Sequence, residues 1–388
     1  MTEKILFNRR RFLYLSALSL AAAGGLSAAK YYAATPQAAV KKGQRLLVSG
    51  YRDKTSQSRF GILTSDCQGH IVSDFAVPYR IHMADLFPAQ PQQQTAILAN
   101  SRAPGAPLQK YSLNGTLLAE LMPPEQMHFE GHTVFSDDGR LLYATASHYT
   151  QQQGYVLEVD CQTFTLQRLL PSGGIGPHEL VISHDQLFVA NTGVLTHPDS
   201  GRQALNIDSM ESSLVQLDIS SGTIVHRWHS PIQALSARHL AIMADGSLLL
   251  GCQYQKKDQR PACLALAQPG ATQLTLLGND NERYYWDMKG YTASVTAFDK
   301  HSPLAGQALI SNPRGHILSQ WQPADGTLLS SQTMPFSKGI VVADTEGWIT
   351  AGAGELWHWD GLRHQLVPVT QKIKADFWWE NHLYGRVI

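Results

Sequence analysis

The sequence contains little cysteine and little charge. Its 388 residues include 4 cysteines, and none of them lies in a C-x-x-C or C-x-x-C-H motif. This argues against thioredoxin-type redox chemistry and covalently attached c-type haem. Four cysteines in a chain of this length also exclude a disulfide-rich scaffold. Charged residues make up 16% of the chain, with 31 basic and 31 acidic side chains. Because the charges balance, a nucleic-acid partner is not expected.

Long hydrophobic runs are also scarce, and the main candidate is near the N-terminus. There, Arg9-Arg10-Arg11-Phe12-Leu13 precedes a weakly hydrophobic run of 13 residues, from Tyr14 to Leu26. This pattern resembles a twin-arginine export signal, so we interpret residues 1–34 as a signal peptide. The alternative is a retained membrane anchor, for which the run is short. We therefore expect a periplasmic protein without a transmembrane span in the mature chain.

One sequence unit recurs along the rest of the chain. It consists of two alternating apolar runs joined by a polar turn, and its copies start at Gly61, Leu108, Tyr155, Leu214, Cys263, Ile317 and Leu356. A second hairpin precedes most copies, which gives four strands, A to D, in each unit. Seven such units predict an all-β, seven-bladed β-propeller over residues 35–388. The alternative is a pair of stacked β-sandwich domains.

The ring is expected to close within one blade. A C-terminal strand around Asp376 to Glu380 would join the N-terminal strands between Gln44 and Val77. The A–B and C–D turns are mostly tight, whereas the B–C and D–A connections are long. In an antiparallel blade, these long connections all lie on one face, which is therefore predicted to be the binding face.

Four consecutive blades place a histidine at the equivalent start of strand A. These residues are His82, His132, His178 and His239; the remaining blades have Ser294, Lys338 and roughly Ala375. Nearby in sequence are Arg80, His128, Glu130, Glu179 and Arg238. Because equivalent positions of a propeller face one axis, the four imidazoles could bind a divalent metal or share acid–base work with these neighbours. The alternative is that each histidine only ties loops together within its own blade.

Two other features are candidates for the same face. The long loop from Asn191 to Ser213 could act as a lid that brings Arg202 or Asp208 to the pocket. Cys252 ends a strand B, and Cys263 starts the neighbouring strand C of the same blade. Because these strands are antiparallel neighbours, a Cys252–Cys263 disulfide is expected.

Several motifs resemble those of the domain-of-unknown-function family 1513. They are Phe129-Glu-Gly-His132, Gly174-Ile-Gly-Pro-His-Glu-Leu180, Thr196-His-Pro-Asp-Ser-Gly-Arg202, Arg238-His-Leu240 and Ser311-Asn-Pro-Arg-Gly315. The resemblance implies a twin-arginine-exported propeller of the quinoprotein/YVTN-like group. It also implies a periplasmic role in iron handling, with imelysin-like and di-haem peroxidase-like proteins as partners. It supplies no established activity and no site residues.

A looser resemblance concerns the segment Ser236-Ala-Arg-His-Leu-Ala-Ile-Met-Ala-Asp-Gly246. It is similar to a blade string of the bacterial 6-phosphogluconolactonase propellers, in which an arginine and a histidine lie at the central pocket. The matching residues here are Arg238 and His239, and His178-Glu179 is a partial second copy. A periplasmic location suits a sugar-phosphate substrate poorly.

Three functional hypotheses follow, and the sequence leaves open whether the protein is an enzyme. The leading one is a binding or accessory protein in iron acquisition. Its pocket would hold iron, copper, zinc, a metal chelate or a partner's exposed group. Arg80, Glu130, Glu179, Arg202 and Arg238 would surround the four histidines. The second hypothesis is a lactonase-type hydrolase with Arg238, His239 and Glu179 as its catalytic set. The third is a protein-interaction platform in which the histidines are structural.

Overall fold

Antiparallel sheets follow one another along the chain. The computed structural model describes residues 41–56, 59–89, 94–201, 203–278, 286–369, 373 and 376–388. Within these ranges there are seven sheets of four or five strands. They form the blades of a seven-bladed β-propeller, which confirms the predicted fold class. The predicted signal peptide, residues 1–34, lies outside the described residues.

The first half of the ring contains blades 1 to 4. Blade 1 receives β1 (Arg45–Asp53), β2 (Phe60–Asp66) and β3 (Ile71–Val77). Blade 2 contains β4 (Ile81–Leu86), β5 (Ala96–Ser101), β6 (Leu108–Ser112) and β7 (Leu117–Leu121). Blade 3 contains β8 (Met127–Phe135), β9 (Leu141–His148), β10 (Gln153–Asp160) and β11 (Thr165–Pro171). Blade 4 contains β12 (Pro177–Ser183), β13 (Gln186–Asn191), β14 (Ser213–Asp218) and β15 (Ile224–His229), with a short 3-10 turn at Pro198–Ser200.

The second half of the ring contains blades 5 to 7. Blade 5 contains β16 (Leu235–Ile242), β17 (Leu248–Tyr254), β18 (Leu264–Ala267) and β19 (Thr275–Leu276). Blade 6 contains β20 (Ser294–Ala297), β21 (Ala308–Asn312), β22 (Ile317–Gln322) and β23 (Thr327–Thr333). Blade 7 contains β24 (Ser337–Ala343), β25 (Glu346–Ala351), β26 (Glu355–Asp360) and β27 (Gln365–Pro368).

The C-terminal segment returns to blade 1 and closes the ring. Two short strands, β28 (Phe377–Trp379) and β29 (Tyr384–Val387), both pair antiparallel with β1. Together they form the innermost strand of blade 1, interrupted between Trp379 and Tyr384. The predicted strand around Asp376 to Glu380 is thus confirmed, and β29 extends it.

Apolar side chains pack between neighbouring blades. Outer strands such as β23 alternate between exposed and half-buried residues, whereas second strands such as β5 are buried throughout. Between blades 3 and 4, for example, Tyr143 and Val156 contact Leu187 and Val215. Each sheet therefore covers the next, as expected when twisted sheets stack face to face.

Loop lengths distinguish the two faces of the propeller. The B–C and D–A connections include residues 192–212 and 255–263 and lie on what we call the loop face. The A–B and C–D turns lie on the opposite turn face and are mostly short. Two A–B connections, residues 87–95 and 298–307, are longer than the rest. Among the described residues, no helix is long and apolar enough to cross a bilayer.

Candidate metal centre

The predicted histidines lie at irregularities in the inner strands. The pairing register shifts between Ile81 and Met83 in β4 and between Ala237 and His239 in β16. It shifts likewise across His132 in β8 and across His178 in β12. A β-bulge redirects side chains and is common beside functional sites. These bulges place a histidine of each strand at the propeller axis.

Five imidazoles meet at the axis, four predicted and one additional. The Nε2 atoms of His82 and His132 lie 3.1 Å apart. Ring centroids of His132 lie 4.4 Å from His178 and 4.5 Å from His382. In two triads, His82–His132–His178 and His132–His239–His382, the ligand atoms lie within 4.8 Å of one another. We call these five residues the axial cluster.

Four of the five residues of the axial cluster are buried and uncharged. Burial lowers the pKa of His132 and His178 well below the usual value, and nearby histidines, Arg102 and Arg238 lower it further. Burial also lowers the pKa of His239 and His382 to about 3. The imidazoles of these four residues are therefore neutral at neutral pH and retain a lone pair.

Four ring nitrogens of the cluster have no hydrogen-bond partner among the described residues. They are Nδ1 of His132 and His178 and Nε2 of His239 and His382. Buried polar atoms in proteins are nearly always hydrogen-bonded, so several orphaned atoms in one place need a reason. Imidazole nitrogens of the two triads also lie within 4.8 Å of one another, an arrangement that fits a transition-metal ion.

A carboxylate orients one of these imidazoles. Oε2 of Glu179 lies 3.0 Å from Nδ1 of His239 and also accepts a hydrogen bond from the backbone N–H of Leu240. Because Nδ1 of His239 contacts Glu179, its Nε2 atom remains available to bind another group. Carboxylate–histidine pairs of this kind hold metal-ligating histidines in their tautomer.

A glycine allows blades 2 and 3 to approach each other beside the cluster. Gly131 has a φ of +93°, and a Cβ atom there would lie 2.5 Å from Cδ2 of His82 and 2.5 Å from Cγ of Arg102. The contacts of His82 with His132 and of His239 with Glu179 also join different blades. The alternative that each histidine only ties its own blade is therefore wrong for these residues.

A cleft of about 620 Å³ opens on the loop face and is lined by Arg80, Arg102, His128, Glu130 and Arg238. Glu130 is buried and accepts hydrogen bonds from Arg102 and Ser147, each at 2.7 Å, and lies 3.1 Å from Nε2 of His128. Although burial alone would raise it, Arg102 and His128 hold the pKa of Glu130 at about 2. The predicted neighbours Arg80, Glu130 and Arg238 therefore line this cleft.

A second cavity of about 340 Å³ lies along the inner strands toward the turn face. Glu179, Leu240, His382 and Tyr384 are among the residues that line it. Burial raises the pKa of Glu179 to about 7, although Leu240 N–H and the Tyr384 hydroxyl oppose this. Glu179 and Arg238 thus line different cavities, so the structure does not bring the proposed lactonase set into one cavity.

The long loop of blade 4 contributes to the cleft only in part. Thr196, His197, Pro198 and Gly201 line it. Asp208, proposed as a lid residue, is instead almost fully exposed and pairs with Lys256 at 2.9 Å. Arg202 and Ala375 lie outside the described residues.

The residue that sequence reasoning missed is His382. It lies in the interruption between β28 and β29, where its carbonyl oxygen accepts a 2.6 Å hydrogen bond from Ser49. The sequence pattern does not reveal His382 as a fifth equivalent histidine, because the interruption between β28 and β29 shifts it out of the alternating pattern of the strand. The available signal was a histidine just after the strand predicted to close the ring.

The expected disulfide is absent: all four cysteines are free thiols in the described structure. Cys252 and Cys263 do face each other, because the N–H of Cys252 donates to the carbonyl of Cys263 at 2.9 Å. The Cys263 thiol, however, is directed toward the carbonyl oxygen of Pro261, 3.5 Å away. Burial raises the pKa of Cys263 to about 12, so this thiol stays protonated.

The comparison with known families agrees with the motifs. The family described as "Protein of unknown function (DUF1513)" matches residues 75–386. The chain belongs to the DUF1513 family. All five residues of the axial cluster lie inside the matched range, so the candidate centre of this DUF1513 protein is part of its family domain.

Solved structures with a similar fold are distant in sequence. The DUF1513 protein is similar to hydrazine synthase of Kuenenia stuttgartiensis, with a TM-score of 0.56 and 11% identity, over 89% of this chain and 100% of that chain. The computationally designed Ika8 protein aligns at a TM-score of 0.48 and 12% identity, over 74% of each chain. No curated protein matches the sequence significantly. At 11% identity, the similarity to hydrazine synthase supports the fold alone.

Proposed function

We propose that this DUF1513 protein is a metal-binding propeller whose axial cluster holds a transition-metal ion. The observation that carries the proposal is the set of four buried, orphaned imidazole nitrogens at the axis. Neutral imidazole binds zinc, copper and iron well, and we propose one of these three. Since the lowered pKa values keep His132, His178, His239 and His382 neutral, no proton has to be displaced from these rings before an ion is bound.

The two triads give the ion alternative ligand sets that share His132. In the triad of His132, His239 and His382, Glu179 positions one imidazole from outside the ligand set. His82 and His178 complete the second triad. A bound ion would serve as an anchoring point for a ligand that enters through the loop-face cleft.

We further propose that the protein works in the periplasm as an accessory protein of iron acquisition. The support is the Arg9-Arg10-Arg11-Phe12-Leu13 pattern and the family resemblance with its imelysin-like and di-haem peroxidase-like partners. Export can be tested by replacing Arg9 and Arg10 with lysine and measuring whether the protein still reaches the periplasm.

Metal binding can be tested by elemental analysis of protein purified from the periplasm without chelator or an affinity tag loaded with nickel. We expect stoichiometric iron, copper or zinc in the wild type and its loss in the His132→Ala/His178→Ala double variant. His70→Ala is a matched control, because His70 lies at a half-exposed C–D turn and contacts Asp66. A wild type that binds none of the three metals, as isolated or in titration, would overturn the proposal.

Two other functions have their own signatures. Lactone turnover by the metal-free protein that is lost in Arg238→Ala would favour the hydrolase. Partner binding that survives every histidine substitution but fails after deletion of a loop-face connection would favour the interaction platform. Either result would also count against the metal site.

A further inference from the structure

One arginine of the loop-face cleft, Arg238, has no hydrogen-bonded counter-ion among the described residues. No hydrogen bond or ion pair of the Arg238 side chain is formed within the described part of the chain, and its Nε atom is buried without a partner. Arg80 and Arg102 line the same cleft, so further positive charge lies close to Arg238. A guanidinium with a buried, unpartnered Nε and no paired carboxylate is unfavourable unless an anion satisfies it.

The carboxylates of the cleft region are already engaged. Glu130 accepts hydrogen bonds from Arg102 and Ser147, as described above. Glu380 accepts two hydrogen bonds from Arg80, both at 2.7 Å. Neither carboxylate forms a hydrogen bond with Arg238, although Glu130 is near enough to act on it electrostatically.

The axial cluster has the same deficit of negative charge. Its five side chains are imidazoles, and among the described residues Glu179 is the only carboxylate that forms a hydrogen bond or ion pair with His132, His178, His239 or His382. A divalent ion held there brings two positive charges into a buried region that already faces Arg102 and Arg238. Buried charge is costly unless it is paired, so the ion needs an anion from outside the chain.

We propose that the loop-face cleft binds a small oxyanion, namely a polycarboxylate whose carboxylate groups pair with Arg238. The metal would arrive as the anionic chelate of this polycarboxylate. This inference rests on the proposed metal function and specifies its ligand. A planar guanidinium suits a carboxylate through two parallel hydrogen bonds. The cleft volume of about 620 Å³ falls in the range of small-molecule sites.

The test is equilibrium dialysis of the mature protein with radiolabelled citrate, with and without Fe³⁺ or Zn²⁺. Labelled inorganic phosphate forms a parallel arm that distinguishes phosphate from carboxylate. We expect citrate to be retained together with the metal by the wild type. Retention should weaken by at least about tenfold in Arg238→Gln and by less in Arg238→Lys, which keeps the charge but loses the two parallel hydrogen bonds.

Arg363→Gln is the matched control, because Arg363 is largely exposed at a C–D turn of blade 7 and pairs with Asp360. Thermal unfolding of each variant verifies that it is folded. Metal bound by the wild type with neither anion retained would overturn the oxyanion inference and leave the metal site standing. Retention of phosphate instead of citrate would overturn the carboxylate assignment. Failure to bind metal with any anion would overturn the proposed function itself.

Discussion

The Nε2 atoms of His82 and His132 lie 3.1 Å apart at the centre of the ring. At this distance one imidazole must donate its N–H to the lone pair of the other. His132 belongs to both triads of the axial cluster, whereas His82 belongs to one. The two residues should therefore contribute unequally to metal binding.

His132→Ala should weaken metal binding more than His82→Ala does. The first change removes a ligand from both triads, and the second leaves the triad of His132, His239 and His382 intact. Competitive titration with Zn²⁺ and a chromophoric chelator measures both affinities. Equal losses would show that the ion uses the triad that contains His82.

Glu179→Gln should weaken metal binding by about 10- to 100-fold, the usual effect of removing an outer partner of a ligating histidine. The amide can still contact His239 but cannot supply its negative charge. The same titration measures the change, and the electronic spectrum of the Co²⁺-loaded protein would report altered ligand geometry. Glu158→Gln is the control, because the Glu158 carboxylate pairs with Arg168 on the outer part of blade 3. An unchanged affinity and spectrum would argue against a positioning role.

Asp85→Ala should destabilise the ring at its closure. Asp85 in β4 is 3% exposed and accepts hydrogen bonds from Arg386 in β29 at 3.1 and 2.7 Å. Because Arg386 is partly solvated, we expect a loss of roughly 2–3 kcal/mol in the free energy of unfolding. Urea denaturation measures it. Asp138→Ala removes an exposed pair with Arg140 and two hydrogen bonds of an exposed turn, and it should lower stability by less than Asp85→Ala does; equal effects of the two variants would contradict the closure argument.

Lys338 should make stability depend on pH in the alkaline range. Burial lowers its pKa from 10.5 to about 8; Glu380 opposes this, whereas Arg52 and Arg80 add to it. Between pH 8 and 10.5 the unfolded chain holds a proton that the folded protein has lost, so stability rises with pH. Relative to Lys338→Met, the wild type should gain roughly 3 kcal/mol across this window. Parallel pH curves for the two proteins would contradict the shift.

All four cysteines should be alkylated when the protein is unfolded without reductant. The structure has them as free thiols, and three of the four are buried in the native fold. Mass spectrometry after iodoacetamide treatment counts the modified residues. Protection of Cys252 and Cys263 would reinstate the disulfide between strands B and C of blade 5.

The blade pattern was predictable because paired strands are sequence neighbours. In β8 and β9, for example, alternation and a short polar turn are enough to specify the hairpin. The same regularity located His82, His132, His178 and His239. Blade 1 is the exception, since its inner strand comes from the far end of the chain. The sequence therefore predicted β28 but neither the break after it nor the position of His382.

The contacts that shape the cleft could not be predicted in the same way. Arg102 lies on a B–C connection of blade 2 and pairs with Glu130 of blade 3. Such contacts depend on loop path and on the glycine at position 131, where side chains of a neighbouring blade approach the backbone. Local periodicity carries no information on either. The sequence thus located the charged residues near the axis without their partners.

The five axial histidines come from five consecutive blades, and His382 is provided by the segment that joins the two ends of the chain. An ion bound by His132, His239 and His382 would help to keep the ring closed, because blade 1 could not separate from the other blades without breaking the bond between His382 and the ion. An ion present at 100 times its dissociation constant adds about 2.7 kcal/mol to the free energy of unfolding. A chain that ends before His382 would lack this triad and could retain the ion only through His82, His132 and His178. Binding of the ion by the triad that contains His382 would then distinguish closed rings from open ones.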